Sequence, residues 1–209
     1  GSGVTCLVMG VVNVTPDSFS DGGRYLDTDA AIAHGLALRS QGAQLLDVGG
    51  ESTRPGSQRV EPSIEAERVI PVVQALADAG AQVSIDTMNA STAQAALAAG
   101  ARIVNDVSGG LADAEMLSAV GETGADIVLQ HWRGPSADMY AQADYGDVAT
   151  EVVRELAARL EAATAAGVAQ DRIILDPGIG FGKRGDQNWA ALRALPEIAR
   201  PGGRRHPER

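Results

Sequence analysis

Six short apolar runs in this chain each stop at a side chain that can hydrogen-bond. The stops are Asn13, Asp47, Asp86, Asn105, Gln130 with His131, and Asp176. One polar stop is routine, because every strand must leave its core somewhere. Six that converge on one mouth would line a polar pocket. The residue types narrow what such a pocket holds. Carboxylates accept paired N–H donors and can grip a guanidine-like ring edge with two parallel bonds. Amide side chains donate and accept together, which suits a heterocycle carrying both kinds of group. A small, flat, nitrogen-rich ring fits the set. There is no Cys or His cluster, which excludes the usual zinc sites, and no Ser-His-Asp set stands out. The first stop opens a loop dense in oxygen-bearing side chains: Thr15, Asp17, Ser18, Ser20 and Asp21. Pro16 stiffens this loop and Gly22-Gly23 frees its far end. A buried strand ending in such a loop is how a ligand site begins in α/β proteins, although an ordinary strand and turn reads the same way.

The elements that must position these residues repeat as strand, polar loop and helix. Strands are expected at 7–12, 44–48, 82–85, 102–104, 126–129 and 172–175. Helices are expected at 29–40, 63–79, Ser91 to Gly100, 113–120, around Val148 to Leu160, and 187–198. Val148, Val152, Leu156 and Leu160 recur every four residues and make one apolar face. Pro62 suits the first turn of the second helix, and Gly42, Gly80 and Gly100 suit helix stops. Ser91-x-x-Gln94 reads as a capping box for the third helix. This alternation predicts a parallel sheet with right-handed connections. With no Gly-x-Gly-x-x-Gly turn after the first strand, it favours an α/β fold of the (β/α)8 TIM-barrel type over a dinucleotide-binding sheet. A full barrel has eight units over about 250 residues. Only about six βα units are legible here, so an incomplete barrel domain is expected over residues 1–199.

Size and charge bound the function. The 209 residues suit one domain. Aromatics are only 3%, so the core must be built from Ala, Val, Leu and Ile. A net charge of −10 argues against nucleic-acid and membrane-surface partners. It also means that a phosphate-bearing ligand needs a local cation or a metal ion. The single cysteine, Cys6, excludes an internal disulfide and fits a reducing compartment. No apolar run approaches transmembrane length and no signal-peptide pattern opens the chain, so a cytoplasmic protein is the expectation. Residues 200–209 break the pattern. They are basic, carry nothing that could build a strand, and are expected to form a disordered tail.

Asn13-Val-Thr-Pro-Asp-Ser-Phe-Ser-Asp-Gly-Gly23 and Asp47-Val-Gly-Gly-Glu-Ser-Thr-Arg-Pro-Gly56 resemble the first and second loops of the dihydropteroate synthases. Ser84-Ile-Asp-Thr87, Asn105-Asp-Val-Ser-Gly-Gly110 and Leu175-Asp-Pro-Gly-Ile-Gly-Phe-Gly-Lys183 follow in the family's order. The resemblance runs from about Leu7 to Ile198. It implies a (β/α)8 barrel that joins 6-hydroxymethyl-7,8-dihydropterin diphosphate to 4-aminobenzoate in folate synthesis and releases diphosphate. It implies that Asp86, Asn105 and Asp176 hold the pterin ring, that Asn13 helps bind Mg2+ near the diphosphate, and that Thr53 contacts the diphosphate side. Phe19, Asp21, Arg54 and Pro55 would belong to two loops that close over the reaction and shape the aminobenzoate pocket, with Asp21 and Arg54 taking part in catalysis. Sulfonamides occupy that pocket in the family.

Plainer roles stay open beside these. Asn13 could cap a strand end, and Asp86 and Asp176 could bond loop amides. Asp47 is expected to organise the second loop rather than touch substrate, and His131 divides between pocket wall and structural residue. Family members continue for two more βα units, which bring a Ser-Arg-Lys stretch beside the pterin and an Arg-x-His that holds the diphosphate. Arg204-Arg205-His206 lacks the apolar strand that would make it the latter. The abrupt change after Ile198 reads as a truncated or frame-shifted product with open edges on strands one and six. The partners implied are the two substrates and, as is common in the family, a second copy of the chain. Two alternative functions remain: an inactive pterin-binding fragment, and a pterin-dependent methyltransferase. The Thr-Pro-Asp-Ser-Phe-Ser-Asp and Ser-Thr-Arg-Pro loops count against the methyltransferase.

Overall fold

The computed structural model describes residues 5–14, 23–50, 60–130, 145–176 and 189–194. Among them one sheet has seven strands: β1 (Thr5–Asn13), β2 (Leu45–Gly49), β3 (Val83–Asp86), β4 (Ile103–Asp106), β5 (Asp126–Gln130), β6 (Ile173–Asp176) and β7 (Trp189–Ala194). The helices are α1 (Gly23–Ser40), α2 (Pro62–Asp78), α3 (Ala90–Ala98), α4 (Met116–Thr123) and α5 (Tyr145–Ala165). The first six strands pair in parallel and lie in chain order, which is the expected repeat of βα units.

The strand sequences explain this arrangement. They are short β-branched and aliphatic runs of the kind that is buried on both faces. Val12, Leu46, Val48, Ile85, Val104 and Leu129 alternate onto one face and are sealed from solvent. They share a core with the apolar stripe of α2, made by Val69, Val72, Val73 and Leu76. Pro62 opens α2 as expected, where its missing N–H costs nothing. At Gly100, φ is +120° and a Cβ would stand 2.6 Å from the Ala77 Cβ, so glycine here both ends the turn and lets α2 and α3 approach. The opposite face of the sheet carries the polar Asp47, Ser84, Asp86 and Asn105.

Three expectations need correction. The capping box at Ser91 does not form. The N-cap of α3 is Asn89, with no side-chain cap bond of its own, and the Ala90 N–H is taken instead by Asp113 Oδ2 at 2.8 Å. An acceptor far along the chain has replaced the local cap. The segment expected as helix 187–198 contains β7, which pairs antiparallel with β1 from Thr5↔Ala194 to Gly10↔Trp189. Trp-Ala-Ala-Leu-Arg-Ala favours helix by propensity, but the row of unpaired backbone groups on β1 offers a stronger tertiary partner. For the same reason β1 is not an open edge. The Cα atoms of β7 also come within 8 Å of β6, so the two ends of the sheet approach each other. The expected tail at 200–209 lies outside the described residues. No helix among the described residues is long and apolar enough to cross a membrane.

Candidate active site

Parallel pairing brings the polar stops together. In one line of the register Asn13 stands opposite Gly49, Gly49 opposite Asp86, and Asp86 opposite Asn105. The absence of a side chain at Gly49 makes room for its neighbour. A Cβ there would stand 3.3 Å from the Asp86 Cβ and 3.5 Å from Oδ2. Asp86 is half-buried, Asn105 is buried, and Asn13 is exposed at the end of β1. One step further along the barrel, β5 and β6 pair so that Gln130 faces Asp176.

Beneath this line sits a carboxylate that holds one of its members. Asp47, 2% exposed, accepts a hydrogen bond from Ser84 Oγ at 2.5 Å and another from Asn105 Nδ2 at 3.3 Å. The second bond fixes which way round the Asn105 amide lies. Burial pushes the Asp47 carboxyl from 3.8 up to about 6, while the donors on Ser84 and Asn105 pull it down. Asp47 therefore supports Asn105. The expected organising role in the second loop falls on residues 51–59, outside the described ones.

A second buried carboxylate works from behind the sheet. Glu65, in the first turn of α2, is wholly buried. Its Oε1 accepts from Thr87 Oγ1 at 3.0 Å, Asn89 Nδ2 at 2.9 Å and Thr92 Oγ1 at 2.6 Å. Thr87 Oγ1 in turn accepts from the Asn89 N–H at 3.0 Å, and the Thr87 N–H bonds the Asn105 carbonyl at 3.2 Å. The turn that follows Asp86 is thus held from both sides. Past β4, Asp106 organises the next loop. It takes Ser108 N–H and Oγ at 2.8 and 2.7 Å and the Gly110 N–H at 3.1 Å. Burial raises its carboxyl above the usual range against these donors. Arg68 Nη1 donates to the Gly50 carbonyl at 3.0 Å and anchors the start of the second loop on α2.

Of the expected site residues, the structure brings Asp86 and Asn105 side by side with Asn13 on the same line, and sets Asp176 opposite Gln130. Phe19, Asp21, Thr53, Arg54, Pro55 and His131 lie outside the described residues. Three supporting residues were not singled out by the sequence reading: Glu65, Ser84 and Asp106. Glu65 had a readable signal. With Val69, Val72, Val73 and Leu76 it falls on the apolar stripe of its helix, where an acid must be paired.

Among the described residues no group of three or more His, Cys, Asp or Glu could hold a metal ion. The exposed Asn13 amide oxygen at the mouth is a neutral, hard donor. It fits Mg2+, which takes one or two protein oxygens and draws the rest from substrate phosphates and water.

Comparison with known proteins gives one answer. Residues 9–204 match the family model described as pterin binding enzyme. A dihydropteroate synthase of Mycobacterium leprae is 55% identical over 93% of this chain and 69% of its own length. The solved Xanthomonas albilineans dihydropteroate synthase with 4-aminobenzoic acid has a TM-score of 0.73 at 46% identity, covering 84% of this chain and 62% of that one. The Anaplasma phagocytophilum dihydropteroate synthase with bound 6-hydroxymethylpterin-monophosphate has a TM-score of 0.74 at 38% identity, covering 86% and 69%. The chain thus spans between 62% and 69% of the length of these three relatives. Its six parallel strands with the helices between them are the corresponding part of a TIM barrel, and the chain belongs to the pterin binding enzyme family, among the dihydropteroate synthases.

Proposed function

We propose that this chain takes part in the dihydropteroate synthase reaction. The nitrogen of 4-aminobenzoate attacks the exocyclic methylene of 6-hydroxymethyl-7,8-dihydropterin diphosphate. The C–O bond to diphosphate breaks, the amine gives up a proton, and 7,8-dihydropteroate forms. The observation that carries this reading is the pairing of Asp86 with Asn105, with Asp47 fixing the amide of the latter. A carboxylate beside an oriented amide matches the mixed donors and acceptors on a pterin edge. Asp176 extends that edge in the same reading. A neutral arylamine is already nucleophilic, so no strong base is required, and a carboxylate beside the ring stabilises cationic character on the pterin as diphosphate departs. Asn13 would hold Mg2+, which when bound offsets the charge of the diphosphate. Thr53 would contact the diphosphate side. Phe19, Asp21, Arg54 and Pro55 would shape the aminobenzoate pocket and exclude water. Sulfonamides would compete there. A cytoplasmic setting suits the single Cys6, and a homodimer follows the family habit.

One observation favours a second reading, pterin binding without turnover. β7 occupies, antiparallel, the side of β1 where a closed barrel places its eighth strand. A turnover assay with the pterin diphosphate, 4-aminobenzoate and Mg2+, run beside calorimetry with the pterin alone, separates the two. Product formation that falls in Asp86→Asn supports the synthase. Saturable binding with no product supports the second reading, and no binding at all contradicts both.

A further inference from the structure

Glu65 is too well connected to be filler. It sits on the helix side of the sheet, away from the ligand face, and is fully buried on the same stripe of α2 as Val69, Val72, Val73 and Leu76. Three donors converge on Oε1, while Oε2 is buried without a hydrogen-bond partner. All three donors come from the β3–α3 junction, from Thr87 to Thr92. Thr87 is the residue next to Asp86. It points the other way along the pleat, so gripping Thr87 from behind fixes the peptide that presents Asp86 in front. Its hydroxyl donates to Glu65 and accepts from Asn89 N–H, and its own N–H bonds β4. The hydroxyl of this residue is thus committed to Glu65 and its N–H to β4.

We propose that Glu65 is a positioning residue for ligand binding, acting on Asp86 through Thr87. The inference rests on the reading of Asp86 as a pterin ligand, yet the positioning itself is testable without any ligand. The concentration of all three bonds on Oε1 gives a specific expectation. A glutamine can present its amide oxygen to the same three donors, so Glu65→Gln keeps the arrangement, whereas Glu65→Leu strands all three.

The test compares two isosteric changes on the same acceptor in the full chain. Thr87→Val and Thr92→Val each remove a hydroxyl bonded to Glu65 Oε1, but only Thr87 adjoins Asp86. The readouts are the NMR signals of the Asp86 amide and side-chain carboxyl in the ligand-free chain, and the calorimetric affinity for 6-hydroxymethylpterin. Thr87→Val is expected to move the Asp86 signals and weaken pterin binding about fivefold, the scale of one lost orienting hydrogen bond. Thr92→Val is expected to leave both unchanged, and Thr87→Ser to restore them. Equal behaviour of the two valine variants, whether both shift Asp86 or neither does, overturns the proposal and leaves Glu65 a stabiliser only. If Thr87→Val does not fold, Thr87→Ala read against Thr92→Ala decides: shifted Asp86 signals and weaker pterin binding in the first alone support the proposal, and equal behaviour of the two overturns it. A wild-type chain that gives no saturable heat with pterin overturns the functional reading, while the Asp86 signals still decide the positioning claim.

Discussion

The wall on β2, β3 and β4 and the seam between β1 and β7 are built on different principles. In the wall, buried carboxylates hold the polar strand ends: Asp47 holds Asn105, and Glu65 holds the turn after Asp86. The seam is joined by a backbone ladder over Thr5 to Gly10, and β1 runs past it to Asn13, which is exposed. A flat ring bound by direct hydrogen bonds needs donors and acceptors fixed in advance, because each misplaced group costs affinity. A diphosphate held through a hydrated metal ion tolerates more freedom. Under the proposed function, the difference separates a preorganised ring site from an adaptable phosphate side.

The largest expected effect tests whether the wall depends on its buried acids. Glu65→Leu leaves three buried donors without an acceptor, and urea unfolding is expected to show a loss of about 3 to 5 kcal/mol. A loss below that of an ordinary surface change would break the comparison. Next comes pH. The Asp47 carboxyl rises from 3.8 to about 6 on folding, so the folded chain keeps a proton there that the unfolded chain releases. Its contribution is full below about pH 4 and is lost as pH climbs through 6, by about 3 kcal/mol. Unfolding measured across this window should show a flatter slope in Asp47→Asn, with the remainder owed partly to Asp106, which shifts the same way. Ser84→Ala removes the shorter of the two bonds to Asp47 and is expected to cost about 2 kcal/mol, read as a lower urea midpoint. The smallest effect belongs to the seam. Successive N–H groups on a strand point to opposite sides, so of Ala190→Pro and Ala191→Pro one must remove a ladder bond to β1. Thermal unfolding should report about 1 kcal/mol for that one and less for the other. A larger cost there than in Ser84→Ala would reverse the account.

Much of the wall was legible in the sequence. Apolar runs that stop at Asp86 and Asn105, one βα unit apart, must become neighbours once the strands pair in parallel and in order. Buried supporters were harder to see because they act across the chain. Glu65 lies 22 residues from Thr87, and the α3 donor Ala90 finds its acceptor 23 residues on, so local motifs such as the box at Ser91 mislead. β7 was illegible for a different reason. Its residues favour helix, and only the unpaired side of β1 makes them a strand. The same logic shows why Asp47 was placed only loosely: its partners, Ser84 and Asn105, come from two other strands.

The claim that the β2–β4 wall is a preformed ring site is tested most directly by calorimetric titration of the chain with 6-hydroxymethylpterin, wild type against Asn105→Ala. Saturable binding that weakens by about tenfold or more in the variant is predicted, since an oriented buried amide is lost. Equal affinities in a folded variant would contradict it.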